Sequence, residues 1–264
     1  MIINVRDYVT AQKEIIKNRI KNMKTAPSLL IIQVGDNLAS NSYIKGKMKD
    51  CEEVGIKCRL EKHNEDWYYE EGNMDILREI ITTHDGVIVQ LPIENELLKQ
   101  EIYDRISFYQ DVDGLIYDYY KPCTPLGIMK LIEHLGVDLK GKVVSVLGKG
   151  SLVGKPLVQM LMNEGATVIS CNSKTKDLNN WMKQSDIIVA AAGIPKLVTK
   201  WGICGETIVI DAGINFVEGK MCGDCDKQLY DSALVHVTPV PGGVGLLTRL
   251  TLLENTVDAA EEHL

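Results

Sequence analysis

Along the chain, short runs of aliphatic and β-branched residues alternate with longer stretches whose apolar positions recur every three or four residues. In the first half, Ser28 to Val34 and Gly86 to Leu91 read as strands, and Ser40 to Val54 and the region around Gly127 to Leu135 as helices. A clearer series follows, with strands at Lys142 to Leu147, Thr167 to Cys171, Ile187 to Ala191, Thr207 to Asp211 and Leu234 to Val237. Helices are expected between them at Gly154 to Asn163 and near Leu178 to Gln184, and a last one at about Leu246 to His263. This order predicts βαβ units and parallel sheets, hence an α/β fold. The polar segment Tyr117 to Pro122, followed by Cys123-Thr124-Pro125, separates the two series and is rich in turn residues. We expect two domains, 1–120 and 121–245, with the segment 246–264 free by pattern alone to pack on either.

Composition narrows the function. A chain of 264 residues is long enough for two ordinary cores, and its formal net charge of -7 argues against a basic face for nucleic acid. The N-terminal stretch from Met1 to Asp7 and its charged continuation lack the apolar run of a secretory signal, and no stretch approaches the roughly 18 apolar residues of a membrane span. A cytoplasmic protein with no nucleic-acid or membrane partner is therefore expected. The 7 cysteines are odd in number and scattered, which fits reduced thiols better than a disulfide framework.

The strand Val143 to Leu147 runs into Gly148-Lys149-Gly150-Ser151-Leu152-Val153-Gly154 and a helix start at Lys155-Pro156. Glycines at such a turn let the backbone approach a pyrophosphate, whose charge meets the N–H groups of the helix N-terminus. The third glycine comes one residue later than in the usual G-x-G-x-x-G spacing, but the turn opens a series of βαβ units, as a dinucleotide fold requires. At the end of the second strand an NAD site usually carries an acid, about 20 residues on. Here the chain reads Cys171-Asn172-Ser173-Lys174-Thr175, so Ser173 can donate a hydrogen bond and Lys149 or Lys174 can supply charge. NADP is favoured, with NAD still open.

After the first strand, Gly35-Asp36-Asn37 leads into a helix that Ser40 or Ser42 can cap, and Tyr43 and Lys47, four residues apart, share one face of it. By itself such a pair is more often a surface tyrosine packed on a lysine stem than a catalytic pair.

Longer motifs settle which. Val34 to Lys47, Val89-Gln90-Leu91-Pro92 and Asp111-Val112-Asp113-Gly114 resemble the methylenetetrahydrofolate dehydrogenase/cyclohydrolase family. So do Pro122 to Pro125, Val153 to Pro156, Ser173-Lys174-Thr175, Asp211-Ala212-Gly213-Ile214-Asn215 and Thr238 to Gly245, in that family's order and over nearly the whole chain. The resemblance implies an N-terminal α/β catalytic domain completed by the last helix, a C-terminal Rossmann-type domain, a folate cleft between them, and a homodimer. It implies NADP-dependent oxidation of 5,10-methylenetetrahydrofolate to the methenyl compound, then hydrolysis to 10-formyltetrahydrofolate. Lys47 would be the catalytic residue of hydrolysis, Gln90 its partner, Tyr43 the platform for the substrate's aromatic portion, and Asp113 the acceptor for the pterin N–H groups, with Asp111 as runner-up. Leu91 and Pro241-Gly242-Gly243 would line the folate, and Gly148, Lys149, Gly150, Ser173 and Ile214 would contact the dinucleotide.

Several positions depart from the family's pattern. Lys149 and Gly150 stand where an arginine and a serine are common, so a forked phosphate ligand gives way to a point charge. Asn172 replaces a histidine, Leu246 and Leu247 a proline and a methionine, and Glu94 a proline. Cys222-Gly223-Asp224-Cys225 has C-x-x-C spacing without a second pair, and the 5 histidines show no ligand spacing, so no metal is expected. Trp67-Tyr68-Tyr69 lies among acids and reads as partner contact or simple packing. The rival functions are a dehydrogenase without hydrolase activity, a dehydrogenase of another small substrate such as a shikimate-type hydroxy acid, and a non-catalytic dinucleotide-binding module.

Overall fold

The computed structural model describes residues 1–262. Its helices and strands follow in the order α1 (Val5–Lys21), β1 (Ser28–Val34), α2 (Leu38–Val54), β2 (Lys57–His63), α3 (Asn73–Thr82), β3 (Gly86–Gln90) and α4 (Glu96–Tyr103). There follow α5 (Cys123–His134), β4 (Val143–Leu147), α6 (Gly154–Asn163), β5 (Thr167–Cys171), α7 (Leu178–Lys183), β6 (Ile187–Ala190) and β7 (Thr207–Asp211). A short hairpin of β8 (Asn215–Val217) and β9 (Lys220–Cys222), then β10 (Val235–Val237) and α8 (Val244–Glu262), complete the order.

The chain divides into two compact units, one of Ala11–Cys123 with Arg249–Leu264, the other of Met1–Thr10 with Thr124–Thr248. In the first, a three-stranded parallel sheet runs in the order β2-β1-β3. β1 and β3 are buried on both faces, which is why their sequences are almost unbroken aliphatic runs. β2, at the edge, alternates exposed and half-buried residues. The core gathers Leu30, Ile32, Leu77, Ile81, Val87 and Ile102, among others. From Arg249 onward α8 belongs to this unit, where Asn255 donates through Nδ2 to the Val112 carbonyl at 2.9 Å.

The second unit holds a five-stranded, all-parallel sheet in the order β10-β7-β6-β4-β5. The chain runs from β4 outward to β5, then returns to the other side of β4 for β6 and β7, so the strand order reverses at β4. Ligands of open α/β sheets bind at the carboxyl ends of the strands where such a reversal occurs. The first residues of the chain join this unit as an extension beyond β10, with Ile3 N–H donating to the Val237 carbonyl and Val237 N–H to that of Met1, both at 2.9 Å.

The predicted strands Ser28 to Val34, Thr167 to Cys171 and Thr207 to Asp211 and the helix Gly154 to Asn163 have the limits expected of them. The predicted end of the last helix, His263, lies outside the described residues. The cap expected from Ser40 or Ser42 is instead Asn37, whose side chain accepts from the Ser40 N–H at 3.0 Å and starts α2 at Leu38. The Ser40 hydroxyl is thereby free to donate to the Leu91 carbonyl at 3.2 Å.

Candidate active site

In the three-stranded unit the strand order reverses at β1, so its crevice lies at the carboxyl ends of β1 and β3. α2 leaves from the first and Gln90 ends the second. Lys47, two and a half turns into α2, donates through Nζ to Gln90 Oε1 at 3.1 Å. The Gln90 amide is oriented from its other end, because Nε2 donates to the Leu91 carbonyl at 2.9 Å, a group that only accepts. The same carbonyl takes the Ser40 hydroxyl from the start of α2, so a chain of hydrogen bonds runs from Ser40 through Leu91 and Gln90 to Lys47. Gln90 is a neutral partner, which holds the lysine without the counter-charge a carboxylate would impose. Leu91 precedes Pro92 across a cis peptide bond.

Tyr43 stands one turn before Lys47 and is half-buried. Burial pushes its phenol above the ordinary tyrosine range, and the Arg249 guanidinium works against that rise. Of the two acids in the turn after β3, Asp111 is 2% exposed and spends its carboxylate on the backbone, accepting from Ile116 at 2.8 Å and Tyr117 at 2.9 Å. Burial raises its pKa, against the lowering effect of those N–H groups. Asp113 is half-buried, and its backbone carbonyl takes the Cys123 N–H at 3.3 Å. Of the two acids it is the one whose carboxylate is not tied to the backbone. The Cys123 thiol donates to the Val112 carbonyl at 3.3 Å, and burial, then the Asp113 charge, raises its pKa. Tyr43, Lys47, Gln90, Leu91 and Asp113 all belong to this unit.

Gly148, Lys149, Gly150, Ser173, Ile214, Pro241, Gly242 and Gly243 belong to the other. Gly148 follows β4 at φ +120°, in the left-handed region, and a Cβ there would overlap the Ala191 carbonyl oxygen and stand 2.7 Å from its carbon. A Cβ on Gly154 would overlap the Gly148 carbonyl oxygen in turn, whereas one on Gly150 would meet nothing within 4 Å. The turn therefore packs tightly against its own sheet while its tip, Lys149-Gly150, stays exposed at the N-terminal end of α6. That is the shape a pyrophosphate needs, bare backbone above a helix N-terminus. The Lys149 ammonium lies close enough to the end of β5 to lower the Cys171 pKa, against the larger opposing effect of burial. No acid follows β5, and Ser173 is exposed beside Asn172, whose side chain accepts from the Lys174 N–H at 2.9 Å. These residues fit a dinucleotide, and a 2′-phosphate meets a positive charge rather than a carboxylate.

Two buried acids outside the predicted set shape the same edge of the sheet. Asp224, 0% exposed, accepts from the N–H groups of Ala192, Gly193 and Ile194, at 2.7, 3.0 and 2.8 Å, and from Asn215 Nδ2 at 2.9 Å. Asp211 accepts from the N–H groups of Gly213, Asp224 and Cys225. The pair ties the loop after β6 to the turn that carries Ile214, which is exposed. Burial raises the pKa of Asp211. The C-x-x-C segment thus serves to bring Asp224 and Cys225 N–H to this clasp. Arg249 is the second omission from the predicted residues. Its only sequence signal is a lone cation in an otherwise apolar helical run, Leu246 to Leu253.

A doubly wound sheet with a bare glycine turn, and beside it in sequence a smaller α/β unit with a hydrogen-bonded lysine, define a dinucleotide-dependent two-domain enzyme. Residues 3–113 match the model of the tetrahydrofolate dehydrogenase/cyclohydrolase catalytic domain, and residues 122–264 that of the family's NAD(P)-binding domain. The chain belongs to the tetrahydrofolate dehydrogenase/cyclohydrolase family. It is 40% identical over 263 residues to the bifunctional protein FolD of Bacillus cytotoxicus, covering 95% of this chain and 91% of that one. The crystal structure of the bifunctional enzyme FolD of Campylobacter jejuni superposes with a TM-score of 0.90 at 37% identity, covering 100% and 99% of the two chains. The FolD of Trypanosoma brucei, solved with NADP and an inhibitor, gives 0.87 at 28% identity, covering 100% and 98%.

Proposed function

We propose that this protein oxidises 5,10-methylenetetrahydrofolate to 5,10-methenyltetrahydrofolate with NADP and then hydrolyses the methenyl compound to 10-formyltetrahydrofolate, as a cytoplasmic homodimer in one-carbon metabolism. The observation that carries it is the oriented chain from Ser40 through Leu91 and Gln90 to Lys47 on a member of this family. The proposed folate-binding part is 1–120 completed by 246–264, and the dinucleotide-binding part 121–245.

When bound, NADP supplies the hydride acceptor. The folate nitrogens flanking the methylene carbon stabilise the cation left behind, so oxidation needs alignment more than acid or base help. Tyr43 would carry the aromatic portion of the substrate on its ring, Leu91 would pack against it, and Asp113 would accept from the pterin's amino and ring N–H groups. Pro241-Gly242-Gly243 would present backbone to the ligand. Hydrolysis asks for more: water must lose a proton as it adds to the methenyl carbon, and the ring nitrogen must gain one as the C–N bond breaks. Lys47 Nζ, held by Gln90, would serve those transfers. Gly148, Lys149 and Gly150 would take the pyrophosphate and the adenosine 2′-phosphate, with Ser173 and Ile214 flanking the cofactor.

The test is turnover of 5,10-methylenetetrahydrofolate by the purified protein with NADP or NAD, following reduced cofactor, methenyl and formyl products separately. Reduced NADP with formyl product arising faster than uncatalysed hydrolysis is the expected result. Accumulation of the methenyl compound would leave only a dehydrogenase, and no reduction with either cofactor would sink the reading.

A further inference from the structure

Arg249 approaches α2 along the face that carries Tyr43 and Lys47. Its Nε lies 2.8 Å from Asp50 Oδ2, one turn beyond Lys47. Its guanidinium packs on the helix at Gly46, where a Cβ would overlap Nη1 and stand 3.2 Å from Cζ. A side chain at position 46 would oblige the guanidinium to shift. Tyr43, one turn back, feels the guanidinium's charge. Residues 43, 46, 47 and 50 are spaced i, i+3, i+4 and i+7, so the cation runs beside the predicted folate platform and its lysine.

The charge of Arg249 is not used up by this contact. Asp50, whose side chain is 9% exposed, also takes Lys13 Nζ at 2.7 Å, so one buried carboxylate serves two cations. Neither terminal nitrogen of Arg249 makes a hydrogen bond to a described residue, and neither is a buried orphan, since among its atoms only Nε is sealed from solvent. The side chain is 25% exposed overall. What results is a guanidinium paired with Asp50 through Nε and packed on Gly46 through Nη1, with neither terminal nitrogen sealed from solvent. Two such nitrogens match a carboxylate in two parallel hydrogen bonds.

Resting on the proposed function, the substrate is a folate, whose glutamyl carboxylates extend from the aromatic ring assigned to Tyr43. We propose that Arg249 is the carboxylate-binding residue of the folate site, taking a glutamyl carboxylate of the substrate on its two terminal nitrogens. Asp50 fixes the guanidinium's direction and Gly46 gives it space. Arg249 therefore sets a preference for substrates with an acidic tail.

The experiment compares kcat/KM for 5,10-methylenetetrahydrofolate with that for the matching tetrahydropteroate, which has the ring system but no glutamate, in the wild type, Arg249→Gln and Arg249→Lys. The wild type should prefer the glutamate-bearing substrate by about tenfold or more, the scale of one charge-assisted pair of hydrogen bonds. In Arg249→Gln that ratio should collapse towards unity. Arg249→Lys, which keeps the charge and loses the fork, should fall between. Melting temperatures of the variants show whether each is folded, and Arg249→Lys carries the comparison if Arg249→Gln is not. An equal loss with both substrates would overturn the proposal and leave Arg249 as a support of α2. An unchanged ratio would overturn it as well. A wild type that turns over both substrates without discrimination refutes the carboxylate site while the folate reading stands; a wild type that turns over neither refutes the folate reading itself.

Discussion

The two units build their sites from different materials. In the three-stranded unit the proposed functional groups are side chains held by other groups, Lys47 by Gln90, and Gln90 by the Leu91 carbonyl. In the five-stranded unit the proposed cofactor seat is mostly backbone: a glycine turn pressed against Ala191, and N–H groups gathered by Asp211 and Asp224. A reacting proton needs a titratable atom in one place, which a side chain supplies. A pyrophosphate needs several donors and close approach, which backbone supplies best. Substitutions should therefore remove chemistry in the first unit and shape in the second.

The largest expected effect is at Lys47. Lys47→Met should lower hydrolysis of the methenyl compound by about a thousandfold, within the range of general acid–base assistance, while the protein stays folded. Product analysis by chromatography measures it, and an undiminished formyl yield would remove Lys47 from the mechanism. Next comes Gly148→Ala, which forces a Cβ into the Ala191 carbonyl at a left-handed φ. It should cost about 3 kcal/mol of stability and abolish measurable NADP binding, read by thermal denaturation and by equilibrium dialysis. If NADP affinity survived, the turn would not be the cofactor's seat.

A smaller effect is expected at Lys13, which pairs with buried Asp50 at 2.7 Å and with Glu53 at 2.7 Å. Lys13→Met leaves Asp50 with Arg249 alone and should cost about 2 kcal/mol. The hydrogen bond from Lys13 holds the Glu53 carboxyl below the usual glutamate range, so its contribution is present at neutral pH and is lost as pH falls through that lowered value. The variant should accordingly show a shallower loss of stability on acidification than the wild type, which denaturant titrations at several pH values would measure. The smallest effect is at Lys149, an exposed point charge. Lys149→Gln should reduce the preference for NADP over NAD by about tenfold, one charge-assisted contact, with little change in melting temperature. An unaltered cofactor ratio would assign the 2′-phosphate to Lys174 or to none.

How far the sequence reaches differs between the same two units. The inner strands of the five-stranded sheet are aliphatic runs between turn residues, and buried parallel strands have to be so, which is why Thr207 to Asp211 could be delimited from pattern; Thr167 to Cys171, half-buried at the sheet's edge, keeps enough of the run in Val168 and Ile169 to be delimited too. In the smaller unit, β2 reads Lys-Cys-Arg-Leu-Glu-Lys-His and gave no apolar signal, because an edge strand keeps one side in water. The helices α1, α3 and α4 also escaped the pattern. So did the reason for Asn37: both Ser40 and Ser42 look like caps, but the helix starts two residues before the first of them. Tyr43, Lys47, Gln90 and Asp113 were named because they sit in long family motifs, whereas the choice of Asp113 over Asp111 as the freer acid needed the backbone bonds of Asp111.

By itself the sequence determined the α/β class, the glycine turn and the family, since each of these is written in local periodicity or in contiguous motifs. It also named the lysine. Only the tertiary structure decided what holds that lysine, which carboxylates are consumed by backbone N–H groups, and that Arg249 meets Asp50 across 199 positions of chain. The reason is physical: a residue's periodicity and propensity act over a turn or a strand, while the partner of a charge is chosen by whichever distant segment the packed core brings within 3 Å.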